Sequence, residues 1–112
     1  MNPYIIEEFK NGLLVFKINR PEKRNAISYE VMDGLEVALN MAGEKSVKVL
    51  AITGEGEQAF CSGGDLSSFQ GLKTENEAFG MLSRMAGLVK KLLFLPKPTV
   101  AILNGTAVGG GL

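Results

Sequence analysis

Two short apolar runs constrain this chain more than anything else in it. Residues 47–52 and 98–103 are rich in β-branched side chains, and the first is apolar on both faces. That is the pattern of strands covered on both sides within a parallel sheet. Parallel neighbours need a crossover of about a dozen residues or more between them, usually a helix. Helical periodicity stands where such crossovers are required, over residues 29–43 and 74–94. Both runs also lead into glycine: Gly54, Gly56, Gly63 and Gly64 after the first, Gly105, Gly109, Gly110 and Gly111 after the second. The chain is therefore expected to be α/β, with its special backbone at the ends of two buried strands.

From the N-terminus, residues 4–9 and 13–18 are β-rich and separated by Asn11-Gly12. That dipeptide accepts positive φ at both positions and predicts a hairpin. Leu14, Phe16 and Ile18 share one face of the second strand and are expected in the core. Arg20-Pro21 ends it, and an extended loop follows. Ser28 is placed to cap the first helix, whose stripe is Val31, Leu35, Ala38, Leu39 and Ala42, widened by Met32 and Met41. Gly34 in mid-helix weakens it, and Gly43 supplies a stop. Thr74 and Glu77 form a capping box for the second helix. Its buried face is expected to carry Ala78, Leu82, Met85, Val89 and Leu92, with Phe79, Ala86 and Leu93 beside them. Lys90 and Lys91 suit its C-terminal end, and Pro96 and Pro98 stop it and launch the last strand. The predicted order is β-β-α-β-loop-α-β, with no internal sequence repeat and no linker.

Composition closes off several classes. With 112 residues, 46% of them hydrophobic and 21% charged, the chain suits one globular domain. Twelve basic and twelve acidic residues cancel, which gives no reason to expect nucleic acid or a charged membrane as partner. No apolar run reaches membrane-spanning length and no secretory leader is apparent. A single cysteine and no internal disulfide make the cytoplasm the expected compartment. The absence of histidine excludes Ser-His-Asp and Cys-His catalysis within these residues and removes the commonest transition-metal ligand. Cys61, with no basic neighbour in sequence, is expected to be a small packed side chain rather than a reactive thiol.

The chemistry is expected in residues 60–66, F-C-S-G-G-D-L. Small residues there let the backbone approach a ligand. Asp65 is a natural N-cap, which would leave the preceding amides free to donate to an oxyanion. A second strand enters a comparable stretch, N-G-T-A-V-G-G-G from Asn104. Together these resemble the two oxyanion-hole segments of the enoyl-CoA hydratase/isomerase (crotonase) family. Asn19-Arg20-Pro21-Glu22-Lys23-Arg24-Asn25-Ala26-Ile27 resembles its first coenzyme A-binding segment.

The resemblance implies a crotonase-like spiral of β-β-α units and an acyl-CoA thioester as ligand, with coenzyme A part of the substrate and no separate cofactor or metal. By motif position, the backbone amides of Gly64 and Gly110 would hold the thioester oxygen. Arg24 and Ala26 would receive the coenzyme A end, and Ser62, Gly63, Asp65 and Leu66 would complete the substrate-binding surface. Phe69 and Met81 are candidates for the acyl wall. Lys17, Arg20, Lys23 and Arg24 form a basic edge suited either to solvent or to phosphates. A rival motif, Gly54-x-Gly56-x-x-Ala59, fits a dinucleotide-binding turn only if a helix opens inside it.

In the family the triple glycine opens a helix that continues, and the likeness covers less than half of a full-length member. The sequence is therefore expected to be one partial domain, residues 1–112, ending before the catalytic glutamates; the first would fall one residue beyond Leu112. The full-length form would be a homotrimer or hexamer in acyl-CoA metabolism. The alternative is a non-catalytic acyl-CoA-binding remnant or an unstable fragment.

Overall fold

The computed structural model describes residues 2–64, 74–107 and 111. Their elements are β1 (Ile5–Lys10), β2 (Leu13–Ile18), a 3₁₀ turn (Pro21–Lys23), α1 (Tyr29–Ala42), β3 (Val49–Gly54), β4 (Ala59–Cys61), α2 (Glu75–Leu93), β5 (Thr99–Ala101) and β6 (Thr106–Ala107). The order is thus β-β-α, β-β-α, β-β, a structural repetition with no counterpart in sequence.

The first hairpin forms as expected. Asn11 and Gly12 both have positive φ, 52° and 86°, and β1 pairs antiparallel with β2 from Ile5↔Ile18 to Lys10↔Leu13. The Gly12 carbonyl then accepts from the amides of Lys48 and Val49. Those bonds hold Val47 and Lys48 in the turn before the third strand, so β3 starts two residues later than the apolar run does. β3 lies parallel to β2 and to β5, giving the sheet order β1-β2-β3-β5.

Two strands were not legible in sequence. Residues 59–61, expected as turn, form β4, and it pairs in parallel with β6 in a separate two-stranded sheet. β5 is correspondingly short: Ile102 and Leu103 lie outside it, in the connection to β6.

Ser28 caps α1 by accepting from the Val31 amide at 3.3 Å. Val31, Met32, Ala38, Leu39 and Ala42 are buried against Leu14, Phe16, Ile18 and Leu50, while Leu35 and Met41 are half-buried around them. Gly34 has a packing reason. A Cβ there would overlap Ile5 Cγ1 and stand 3.0 Å from Ile5 Cδ1, so glycine lets β1 close onto the helix. The carbonyls of Ala42, the last residue of the helix, and of Glu44, just past it, accept from the Lys97 ammonium.

Thr74 caps α2 through the Glu77 amide at 3.1 Å. The buried face of this helix differs from the expected one. Leu88 is its only buried residue, with Met81, Met85 and Leu92 half-buried against the core. Arg84 reaches Asp33 and Glu36 on α1. Phe79, Leu82, Val89 and Leu93 are exposed, as are Val100, Ile102 and Leu103 beyond the helix. The apolar arc of α2 spans roughly half the helix circumference, and the described residues cover only the half that meets α1. Among them no helix is long and apolar enough to cross a membrane.

Candidate oxyanion and coenzyme A site

The segment from Arg20 to Ile27 lies against residues 62–64, with an isolated parallel bridge between Ile27 and Gly64. Arg24 and Asn25 are consecutive non-glycine residues in the left-handed region, φ 54° and 56°. Such backbone is uncommon outside glycine, and a pair of such residues turns the chain sharply. The turn is held by backbone bonds from Arg24 to Pro21 at 3.1 Å and from Asn25 to Arg20 at 2.8 Å. It leaves Ala26 and Ile27 buried and extended beside residues 62–64.

Two bonds join these segments. The Ser62 amide donates to the Arg24 carbonyl at 3.1 Å, and the Ile27 amide donates to the Gly63 carbonyl at 2.7 Å. The Ser62 amide is therefore spent on structure, contrary to the expectation that the amides before residue 65 are all free. The second bond matters more. No peptide bond in the described chain is cis, and in a planar trans unit the carbonyl of residue 63 and the N–H of residue 64 point in opposite directions. With the Gly63 oxygen fixed on Ile27, the Gly64 N–H is aimed away from that strand, and among the described residues it meets no acceptor. Gly63 permits this path with φ 106°, a conformation side chains avoid.

The remaining predicted site residues fall as follows. Arg24 and Lys23 are exposed at the rim. Ala26 has both backbone groups engaged, its N–H on the Lys23 carbonyl and its oxygen accepting from Arg20 Nη1 at 3.0 Å. A carbonyl has two lone pairs, and the Arg20 bond occupies one of them. Met81 is half-buried on α2 and packs on the core. Asp65, Leu66, Phe69 and Gly110 lie outside the described residues.

The basic edge separates into two parts. Arg20 is buried at 8% exposure, bonds Ala26 and sits 5.1 Å from the centre of the Tyr4 ring, so it holds the loop and does not belong to a phosphate-facing edge. Lys17 pairs with Glu55 at 3.5 Å. Lys23 and Arg24 are the exposed remainder of that edge. Glu57 is exposed on the turn between β3 and β4. That turn runs from strand to strand with no helix opening inside it, which removes the dinucleotide reading of Gly54 to Ala59. Cys61 is buried on β4, and desolvation pushes its thiol pKa up, as expected of a packed, unreactive side chain.

Two asparagines had been assigned no role from sequence. Asn25 is wholly buried; its Oδ1 accepts from the Arg20 amide at 2.9 Å, and its Nδ2 donates to the carbonyls of Glu55 and Ala59 at 3.1 and 2.7 Å. Asn104 Nδ2 donates to Gly56 and Ala59 at 2.8 and 2.9 Å. The available signal was the residue type: asparagine tolerates left-handed backbone and carries two donors, but the carbonyls that accept from these two side chains lie 30 to 48 residues away in sequence.

A family model described as Enoyl-CoA hydratase/isomerase matches residues 8–112, nearly the whole chain. The chain belongs to the enoyl-CoA hydratase/isomerase family. Its backbone superposes on an enoyl-CoA hydratase from Bacillus anthracis with a TM-score of 0.89 at 29% identity, covering 96% of this chain and 42% of that one. An enoyl-CoA hydratase/isomerase from Xanthobacter autotrophicus Py2 gives 0.91 at 26% identity, covering 99% and 42%. The curated relative YngF of Bacillus subtilis (strain 168) is 34% identical over 116 residues, which is all of this chain and 44% of that protein. The chain thus spans about two fifths of the length of such relatives and matches the N-terminal part of the crotonase fold.

Proposed function

We propose that these residues form the N-terminal part of a crotonase-fold domain that binds an acyl-CoA thioester and polarises its carbonyl. The observation that carries this reading is the Gly63–Gly64 peptide, anchored through its oxygen to Ile27 so that its N–H faces outward. In this reading the thioester oxygen accepts from the Gly64 N–H and from Gly110. When water adds across the neighbouring double bond, or a proton leaves the α-carbon, negative charge develops on that oxygen. Amides fixed before the reaction bind the oxyanion more strongly than the neutral carbonyl and lower the barrier. One such donor is worth about 100- to 1000-fold in rate.

Arg24 and Lys23 lie at the rim, where their charge favours the phosphates of coenzyme A, and the free lone pair of Ala26 suits a donor on the adenine end. Ser62, Gly63, Asp65 and Leu66 complete the substrate-binding surface in the same reading. The proton transfers require carboxylates acting as base and acid. Glu55 is engaged with Lys17 and Glu57 is on the surface turn, so in this reading the acids, and assembly into a trimer or hexamer, belong to the part of a full-length family member that this chain does not span.

Titration of the complete protein with a CoA thioester, followed by a crotonyl-CoA hydration assay, tests the reading. Saturable binding with turnover supports it. Binding without turnover by the complete protein favours the non-catalytic remnant, and no binding of any CoA thioester removes the acyl-CoA reading altogether.

A further inference from the structure

Three segments of the proposed site converge on one carbonyl, that of Ala59 at the start of β4. From the coenzyme A side, Asn25 Nδ2 reaches it at 2.7 Å. From the side of the second glycine-rich stretch, Asn104 Nδ2 reaches it at 2.9 Å. Each amide spends its other N–H on the same turn, Asn25 on Glu55 and Asn104 on Gly56. Next to Asn104 the backbones touch: a Cβ on Gly105 would stand 2.5 Å from the Gln58 carbonyl carbon and 2.7 Å from the Ala59 nitrogen. The Thr106 amide donates to Gln58 at 3.2 Å.

The orientation of Asn104 is fixed by its donors. Its Oδ1 is buried and has no hydrogen-bond partner among the described residues. Turning the amide over would bring that oxygen against two carbonyl oxygens. A buried acceptor left unpaired costs about 1–3 kcal/mol, and here it accompanies a grip on the strand leading to Gly64.

We infer that Asn25 and Asn104 are positioning residues that fix the strand leading to the Gly64 amide against the coenzyme A loop and against the segment entering β6. This rests on the acyl-CoA reading and deepens it. Ala59 lies five residues before Gly64, so the shared carbonyl ties both segments to the chain just upstream of that amide. Asn104 fixes β4 against the segment that leads into β6. Asn25 fixes the same point against the loop carrying Arg24 and Ala26. Loss of the Asn104 donors loosens β4, and with it the Gly64 amide, while Asn25 still holds that point to the coenzyme A loop. Loss of the Asn25 side chain disturbs both relations. Misplacement of reacting groups by about 1 Å is enough to lower rate about 100-fold.

The probe is the CoA thioester of 4-dimethylaminocinnamic acid, whose absorption moves to the red when its carbonyl oxygen is hydrogen-bonded. The complete protein is compared with Asn104→Ala, Asn104→Asp and Asn25→Gly. The last keeps a residue that tolerates φ 56° and removes only the side chain. The wild-type protein is expected to bind the probe and shift it to the red. Both Asn104 variants are expected to bind free coenzyme A as the wild type does, to lose at least half of the red shift at saturation, and to lower kcat about 10- to 100-fold with little change in KM. Asn25→Gly is expected to lose red shift and also to weaken coenzyme A binding. Folded variants that keep the full red shift at saturation while only their melting temperature falls would overturn the inference, since a merely structural bond has that effect. Should Asn25→Gly not fold, the two Asn104 variants decide. If the wild-type protein neither binds nor shifts the probe, the acyl-CoA reading fails and this inference falls with it.

Discussion

Gly34→Ala sets two known effects of opposite sign against each other. In a helix interior alanine is favoured over glycine by about 1 kcal/mol. The new Cβ, however, would overlap Ile5 Cγ1 and approach Ile5 Cδ1 to 3.0 Å. These atoms belong to a β-branched side chain on a strand hydrogen-bonded to β2, so relief requires moving β1 or forcing an unfavourable rotamer. Overpacking of this kind costs about 1–3 kcal/mol. The clash therefore wins, and the net effect is destabilisation by about 1 kcal/mol, or a fall of about 4 °C in melting temperature. The double mutant supplies the decisive arm. In an Ile5→Ala background Cγ1 and Cδ1 are gone, only the residue 5 Cβ at 3.3 Å remains, and Gly34→Ala should become stabilising by up to about 1 kcal/mol. Thermal and urea denaturation of the four proteins, followed by far-ultraviolet circular dichroism, measures the cycle. The same sign of effect in both backgrounds would refute the packing explanation for this glycine.

Three further outcomes follow from particular contacts. Lys97→Met removes the ammonium that donates to Ala42 and Glu44 at the C-terminal end of α1, and should cost about 1 kcal/mol in urea denaturation, with Lys97→Arg recovering part of it. Arg24→Gly relieves left-handed backbone at φ 54° and removes an exposed cation at once; the melting temperature should rise while the dissociation constant for coenzyme A increases and loses part of its salt dependence. Cys61 has its thiol pKa raised by burial, so the folded state holds the proton more tightly than the unfolded state. Its contribution to stability is full below the unfolded thiol pKa and is lost as pH rises from there through the folded value. Denaturation midpoints measured at pH 7 to 10.5 should fall more steeply for wild type than for Cys61→Ala, and thiol labelling of the native protein at pH 7.5 should be slow.

What could be read from sequence depended on how local its cause was. The Asn11-Gly12 hairpin, the Ser28 and Thr74 caps and the inward face of β2 depend on neighbours a few residues away, and all form as expected. β4 and β6 are three and two residues long and exist because residues 59–61 meet residues 106–107, a pairing no local pattern announces. The second helix carries apolar side chains around half its circumference, and sequence cannot say which part of that arc α1 covers. Arg20 counted as one more cation until Tyr4 and Ala26 closed around it. The two motifs at residues 19–27 and 60–64 do come together. They did not disclose that the Ser62 amide is consumed or that two asparagines bind one carbonyl.

The central claim is that a thioester carbonyl bound here is held by backbone N–H groups, that of Gly64 among them. The isotope-edited infrared spectrum of butanoyl-CoA, labelled with ¹³C at the thioester carbonyl and bound to the complete protein, tests it most directly. The account predicts a carbonyl stretch at lower frequency than the same compound shows in water, because fixed amide donors polarise the bond more than mobile solvent does. A stretch at or above the frequency in water would mean that the oxygen lies in an apolar or merely solvated place, and would contradict the account.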